Sequence, residues 1–152
     1  MKKLLVIAGE SSGDIHGGNL VREIRKIDPR IEIFAAGGQK LKEAGATLLV
    51  DLVQHAVIGA VEVLRHYYKF KKIFDQLLAF ADEQKPDAVI LIDYPGFNLK
   101  FARAAKSKGI KVIYYISPQI WAWAPGRITD IRKTVDQMIV ILPFEKDIYE
   151  KA

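Results

Sequence analysis

The chain has 152 residues, and half of them are hydrophobic, which suits one domain with a substantial core of its own. It contains no cysteine, which excludes a disulfide scaffold, a thiolate metal site and a cysteine nucleophile and fits a reducing compartment. With 23 basic against 18 acidic side chains the net charge is +5, a mild excess that suits phosphate-bearing ligands or an anionic membrane surface.

Leu4 to Ala8 is continuously apolar and reads as a strand buried on both faces. Only Met1-Lys2-Lys3 precedes it and Glu10 ends it, so it is no secretory signal. Residues 14–27 place Leu20, Val21, Ile24 and Ile27 on one helical face, and Asp28-Pro29 stops that helix. Glu32 to Ala36 is a second strand, followed by a Gly37-Gly38 turn, a short helix over 39–44 and a third strand from Thr47 to Val50. A long helix is predicted from Gly59 to Glu83, where Val63, Tyr67, Phe70, Phe74, Leu77 and Ala81 recur every three or four residues. Beyond Pro86 come a strand from Ala88 to Ile92, a helix from Phe97 to Lys108 closed by Gly109, and a strand from Val112 to Ile116. Ser117 to Arg127 reads as an ordered loop leading into a helix. Met138 to Leu142 is a sixth strand, and Phe144 to Glu150 starts a further helix.

Strand and helix in alternation, with short connections, predict an α/β domain: a Rossmann-like, doubly wound parallel sheet covered on both faces. Residues 1–152 read as a single domain that stops inside a helix, which suggests truncation. No stretch approaches the ~18 apolar residues of a membrane span, so the expected location is cytoplasmic, at most peripheral to a membrane.

In such sheets ligands bind at the carboxyl ends of the strands, so the residues after each strand are the candidates. After the first strand, Gly9-Glu10-Ser11-Ser12-Gly13-Asp14-Ile15-His16 opens a helix and presents backbone N–H groups to an anion. A tight turn in which Ser12 or Asp14 only caps the helix explains part of the same pattern. It is neither a dinucleotide fingerprint nor a P-loop. A dinucleotide-dependent oxidoreductase also needs an acid after the second strand, where this chain has Ala35-Ala36-Gly37.

After the fourth strand stands Asp93, placed as a general base held rigidly and partly out of water, with Asn98 behind it to orient a hydroxyl or cap the helix. Asp93 accepting only backbone bonds from its turn is the alternative. After the fifth strand, Ser117, Trp121, Trp123 and Arg127 offer aromatic faces for a sugar or base and a guanidinium for a phosphate. Packing of both tryptophans onto the core is the competing reading. On the long helix, Ile58, Val61, Leu64, Tyr67 and Tyr68 span more of the circumference than one core stripe needs, with Arg65, His66, Lys69, Lys71 and Lys72 among them. That suits a membrane interface with anionic lipid, or a helix covered on two sides. The three histidines have no metal-ligand spacing, and no G-x-S-x-G elbow is present.

Six blocks in register make the pattern specific. They are Gly9-Glu10-Ser11-Ser12-Gly13-Asp14, Gly37-Gly38, 57–64, Ile92-Asp93-Tyr94-Pro95-Gly96-Phe97-Asn98-Leu99, 115–123 with its Ser-Pro-x-x-Trp-Ala-Trp core, and Leu142-Pro143-Phe144-Glu145. The series resembles the lipid-A-disaccharide synthase family over essentially the whole chain. The resemblance implies the N-terminal, acceptor-side half of a GT-B glycosyltransferase, with the C-terminal donor-binding domain absent from this chain. It implies an inverting transfer from UDP-2,3-diacylglucosamine to 2,3-diacylglucosamine 1-phosphate (lipid X), giving a β-1,6 disaccharide and UDP, with no cofactor and no metal. It places the base at Asp93 and substrate contacts at Glu10, Ser11, Ser12, Gly13, Asp14, Asn98, Ser117, Trp121, Trp123, Arg127 and Glu145. Gly96 stands where many relatives carry a second acid, which concentrates the base role on Asp93. The partners implied are the two lipid substrates and the inner face of the inner membrane, with no nucleic acid and with room for self-association. The reading from the residues alone keeps a second possibility, a non-catalytic membrane-surface or nucleotide-binding Rossmann module.

Overall fold

The computed structural model describes residues 1–56 and 63–152. Six strands form one sheet: β1 (Lys3–Ala8), β2 (Glu32–Gly37), β3 (Thr47–Asp51), β4 (Ala88–Ile92), β5 (Lys111–Tyr115) and β6 (Gln137–Ile139). Their order is β3-β2-β1-β4-β5-β6 and every pairing is parallel. The order reverses between β1 and β4, which opens a crevice at the carboxyl ends of those two strands. This is the α/β, Rossmann-like doubly wound sheet that the alternation predicts.

The continuous apolar run of β1 has a direct cause. Leu5 and Ile7 enter one core with Leu77, Ala81, Phe101 and Tyr114, while Val6 and Ala8 enter another with Val21, Ile33 and Leu41 on the opposite face. These four side chains of β1 are fully buried, at roughly 1.5–3 kcal/mol for each large aliphatic group. The first core packs beneath α4 (Val63–Gln84) and α5 (Pro95–Ser107), the second beneath α1 (Ser11–Ile27) and α2 (Gln39–Glu43). Gly18 lets α1 and α2 touch: a Cβ there would lie 2.9 Å from the Lys40 carbonyl oxygen.

Several boundaries differ from the sequence reading. Helix α1 starts at Ser11, three residues early, because Glu10 takes an extended N-cap conformation. Ser11 to Asp14 therefore form a helical first turn. A short α3 (Leu52–Ala56) follows β3 directly; the Gln54 N–H donates to the Asp51 carboxylate at 3.0 Å, which caps it. The Trp segment is folded as α6 (Ile120–Trp123) and a 3-10 turn (Pro125–Arg127) before α7 (Ile128–Thr134). Strand β6 ends at Ile139 rather than Leu142, since only Gln137, Met138 and Ile139 pair with β5, and α8 (Pro143–Glu150) follows. The predicted start of the long helix at Gly59, with Ile58 and Val61, lies outside the described residues.

Candidate functional site

The chain turns sharply at the end of β4. Asp93 and Tyr94 both have left-handed backbone, with φ of 46° and 49°, uncommon for residues with side chains and costly to hold. Three bonds hold Asp93 there. Its N–H donates to the Tyr115 carbonyl at 3.1 Å. Its carbonyl accepts from the Tyr114 hydroxyl at 2.6 Å and the Asn98 amide at 2.9 Å. Asn98 is fully buried and also donates to the Ile92 carbonyl. Its Nδ2 thus clamps the turn from beneath, which takes up the donor expected for a substrate hydroxyl. Ile116, at the end of β5, is a third left-handed residue (φ 63°). A β-branched residue there is a marked outlier, and it redirects the chain toward Ser117.

These turns frame a cleft of about 450 Å³ lined by Ser12, Gly13, His16, Asp93, Ser117 and Glu145, with Pro95, Gln119 and Leu142 at its walls. It lies at the carboxyl ends of β1, β4 and β5. The Asp93 side chain is half-buried. Loss of water raises its pKa above the ordinary 3.8, opposed by the Tyr94 N–H and by the positive charge available on His16. A carboxylate less fully solvated than usual, at the wall of a cleft, is a proton acceptor with more basicity than an exposed one. Tyr94 covers Gly9 so closely that a methyl group on Gly9 would run into its ring. Glycine is needed there so that the β1 and β4 turns can approach.

The other predicted residues separate into groups. Glu10 and Ser11 are exposed and are not among the residues lining the cleft. Asp14 is buried and accepts from the backbone N–H groups of Gly38, Lys40 and Leu41 at 2.8, 2.9 and 3.2 Å. Its carboxylate ties the start of α2 to α1. Glu145 is also buried, and its Oε1 accepts from Ser117 Oγ at 2.9 Å and the Trp121 indole at 3.1 Å. Its Oε2 accepts from the Leu142 N–H, so Glu145 pins the β5 loop to α8 at the edge of the cleft. Trp121 is half-buried, with its N–H on Glu145 and its ring edge-on to Phe144 at 5.0 Å. The Trp123 and Leu64 side chains lie outside the described residues. Arg127 lines a separate basic cleft with Lys100 and Arg103.

Tyr67 and Tyr68 are 62% and 69% exposed, and Tyr67 borders an apolar groove between α4 and α5. Among the described residues no group of three His, Asp or Glu side chains comes together to hold a metal ion, and no helix is long and apolar enough to cross a membrane.

His16, in the loop-and-helix segment expected to face a ligand after the first strand, does line the cleft, and Gln119 and Pro95 complete its wall. His16 stands four residues after Ser12, one turn along α1, so helical spacing alone places both on one face. Lys100 and Arg103 were missed for a different reason: they look like an ordinary solvated helix face until α7 is packed beside them.

Comparison with known proteins supplies the relatives. Residues 4–152 match the model of the family described as lipid-A-disaccharide synthetase. The chain is 50% identical over 151 residues to the lipid-A-disaccharide synthase of Trichlorobacter lovleyi and 48% identical to lipid-A-disaccharide synthase 1 of Legionella pneumophila. Each match covers 99% of this chain and 39% of the relative, so the chain spans about two fifths of the length of the curated relatives it matches. In fold it is similar to UDP-GlcNAc 2-epimerase from Neisseria meningitidis (TM-score 0.62, 14% identity, 99% of this chain, 43% of that one). It is likewise similar to MurG of Acinetobacter baumannii (TM-score 0.60, 12% identity, 95% of this chain, 42% of that one). Both likenesses are likenesses of fold, a Rossmann-like parallel sheet flanked by helices.

Proposed function

The chain belongs to the lipid-A-disaccharide synthetase family, and from that premise we propose that it supplies the acceptor half of an inverting glycosyltransferase. The reaction joins UDP-2,3-diacylglucosamine to 2,3-diacylglucosamine 1-phosphate and forms a β-1,6 bond. Asp93 takes the proton of the acceptor 6-hydroxyl as that oxygen attacks the anomeric carbon. The bond from that carbon to the UDP oxygen breaks, and UDP leaves with the electron pair. The observation that carries this reading is the half-buried Asp93 in a cleft at the strand ends, with its pKa raised by loss of water. Ser12 and Ser117 supply hydroxyls at the same cleft. The donor belongs to the remaining length of the relatives' chains, so residues 1–152 alone should not turn over. Transfer assayed with both acyl-sugar substrates tests the proposal: the full-length protein carrying this chain should form disaccharide, and Asp93→Asn should slow it by roughly 10²–10⁴-fold. Disaccharide formed at a near-normal rate by that variant would remove Asp93 from the chemistry.

The same reading places the protein on the cytoplasmic face of the inner membrane. Exposed Tyr67 and Tyr68, with Lys69, Lys71 and Lys72 around them, have the amphipathic composition of an interfacial helix. Replacing both tyrosines with serine should reduce sedimentation with anionic vesicles. Unchanged sedimentation would assign these rings another role.

A further inference from the structure

Three recesses of different chemistry meet at the first turn of α5. The cleft that holds Asp93 shares Pro95 with a second cleft of about 220 Å³. That second cleft shares Gly96 and Lys100 with the apolar groove between α4 and α5. Lys100, Arg103 and Arg127 line it together with one acid, Asp130, so its charged lining is predominantly cationic. Lys100 and Arg103 are three residues apart on α5 and project from one face. The positive end of this 13-residue helix lies at the Pro95–Gly96 wall of the same cleft.

Two details keep the cleft available. The pair between Arg103 and Asp130 is long, at 3.5 Å, and both side chains are mostly exposed, so it is weak and readily exchanged. At Gly96, an added Cβ would meet nothing within 4 Å. The fold does not require glycine there, and its bare backbone leaves the junction of the three recesses open.

We propose that the cleft of Lys100, Arg103 and Arg127 anchors the phosphate monoester of an acylated sugar acceptor. The inference rests on the acceptor reading above and gives it a second point of attachment. A phosphate group suits the cationic lining and the guanidinium fork of Arg103. The neighbouring recesses supply what the rest of such a molecule needs: a base beside a sugar hydroxyl on one side, and an apolar surface on the other.

Equilibrium binding to the full-length protein, without any donor, tests this separately from catalysis. Three probes are compared: a short-chain acyl-glucosamine 1-phosphate, the same sugar without phosphate, and inorganic phosphate. The phosphorylated sugar should bind tightest, and inorganic phosphate should bind at least roughly tenfold more weakly than it. Lys100→Gln with Arg103→Gln should weaken the phosphorylated sugar by roughly tenfold to a hundredfold and leave the phosphate-free sugar unchanged. Asp130→Asn should tighten it by roughly two- to fivefold, since it removes the competing carboxylate. Equal affinity for the two sugars would overturn the proposal, as would an unaffected double variant or inorganic phosphate binding as well as the sugar phosphate. The substituted side chains are exposed, and matching thermal melts check that the fold is unchanged. A protein that binds the phosphorylated sugar here yet forms no disaccharide would refute the transferase reading and leave this site standing.

Discussion

The two turns that flank the switch point each carry an aspartate, and the two aspartates are treated in opposite ways. At the β1–α1 turn, Asp14 is buried, but three backbone N–H groups surround its carboxylate. At the β4–α5 turn, Asp93 is half-buried, and the bonds that hold it fall mainly on its backbone, through Tyr114, Tyr115 and Asn98. Fixing the backbone while leaving the carboxylate at a cleft wall gives a placed, reactive group. Surrounding the carboxylate itself gives a structural joint. Burial alone does not separate the two; what separates them is where the hydrogen bonds end.

The contrast is sharpest in the effects of substitution. Asp93→Asn should lower kcat by 10²–10⁴-fold, the usual contribution of a general base, with a melting temperature close to the parent's. A large loss of stability with retained activity would reverse the assignment. Asp14→Ala should do the opposite, costing about 3 kcal/mol in a denaturant titration as three N–H groups lose a charged acceptor. If Asp14→Ala folds normally and loses only activity, the joint is a catalytic group after all.

Glu145→Gln probes an intermediate case and should cost about 1–2 kcal/mol. An amide oxygen can still accept from Ser117 and Trp121, but its NH₂ then faces the Leu142 N–H, donor against donor. The Trp121 fluorescence should shift with the loss, and an unchanged emission spectrum would show that the pin does not order the loop. The smallest effect is in pH dependence. Asp93 must be ionised to act and its pKa is raised by burial, so kcat/KM should fall on acidification with a midpoint above 3.8. A midpoint at or below that value would mean that loss of water does not govern the carboxylate in the free enzyme.

The sheet was legible because period and punctuation agree. Continuous apolar runs such as Ala88–Ile92 announce strands buried on both faces, and Asp28-Pro29 and Gly109 close helices at the expected places. The cleft was half legible. Strand-end residues Ser12, Gly13, Asp93, Ser117 and Glu145 do converge, because a parallel sheet carries all its carboxyl ends to one edge. The roles of Asp14, Asn98 and Trp121 were not legible, since whether a polar side chain faces a ligand or a backbone amide depends on packing across α1, α2 and α8. Nor was the pairing of α5 with α7 that gathers the basic cleft, because Arg103 and Asp130 are brought together only by the tertiary fold.

The strand order also bears on how the chain is made. β1 sits in the middle of the sheet, yet β4, its neighbour toward the second half, begins at Ala88, 80 residues after Ala8. At a ribosomal pace of 5–20 residues per second, roughly 4–16 s pass between the two. During that interval a strongly apolar central strand shows a bare hydrogen-bonding edge, the feature that invites pairing with another polypeptide. Chaperone capture should therefore be strongest before Ile92 emerges and should fade once β4 docks.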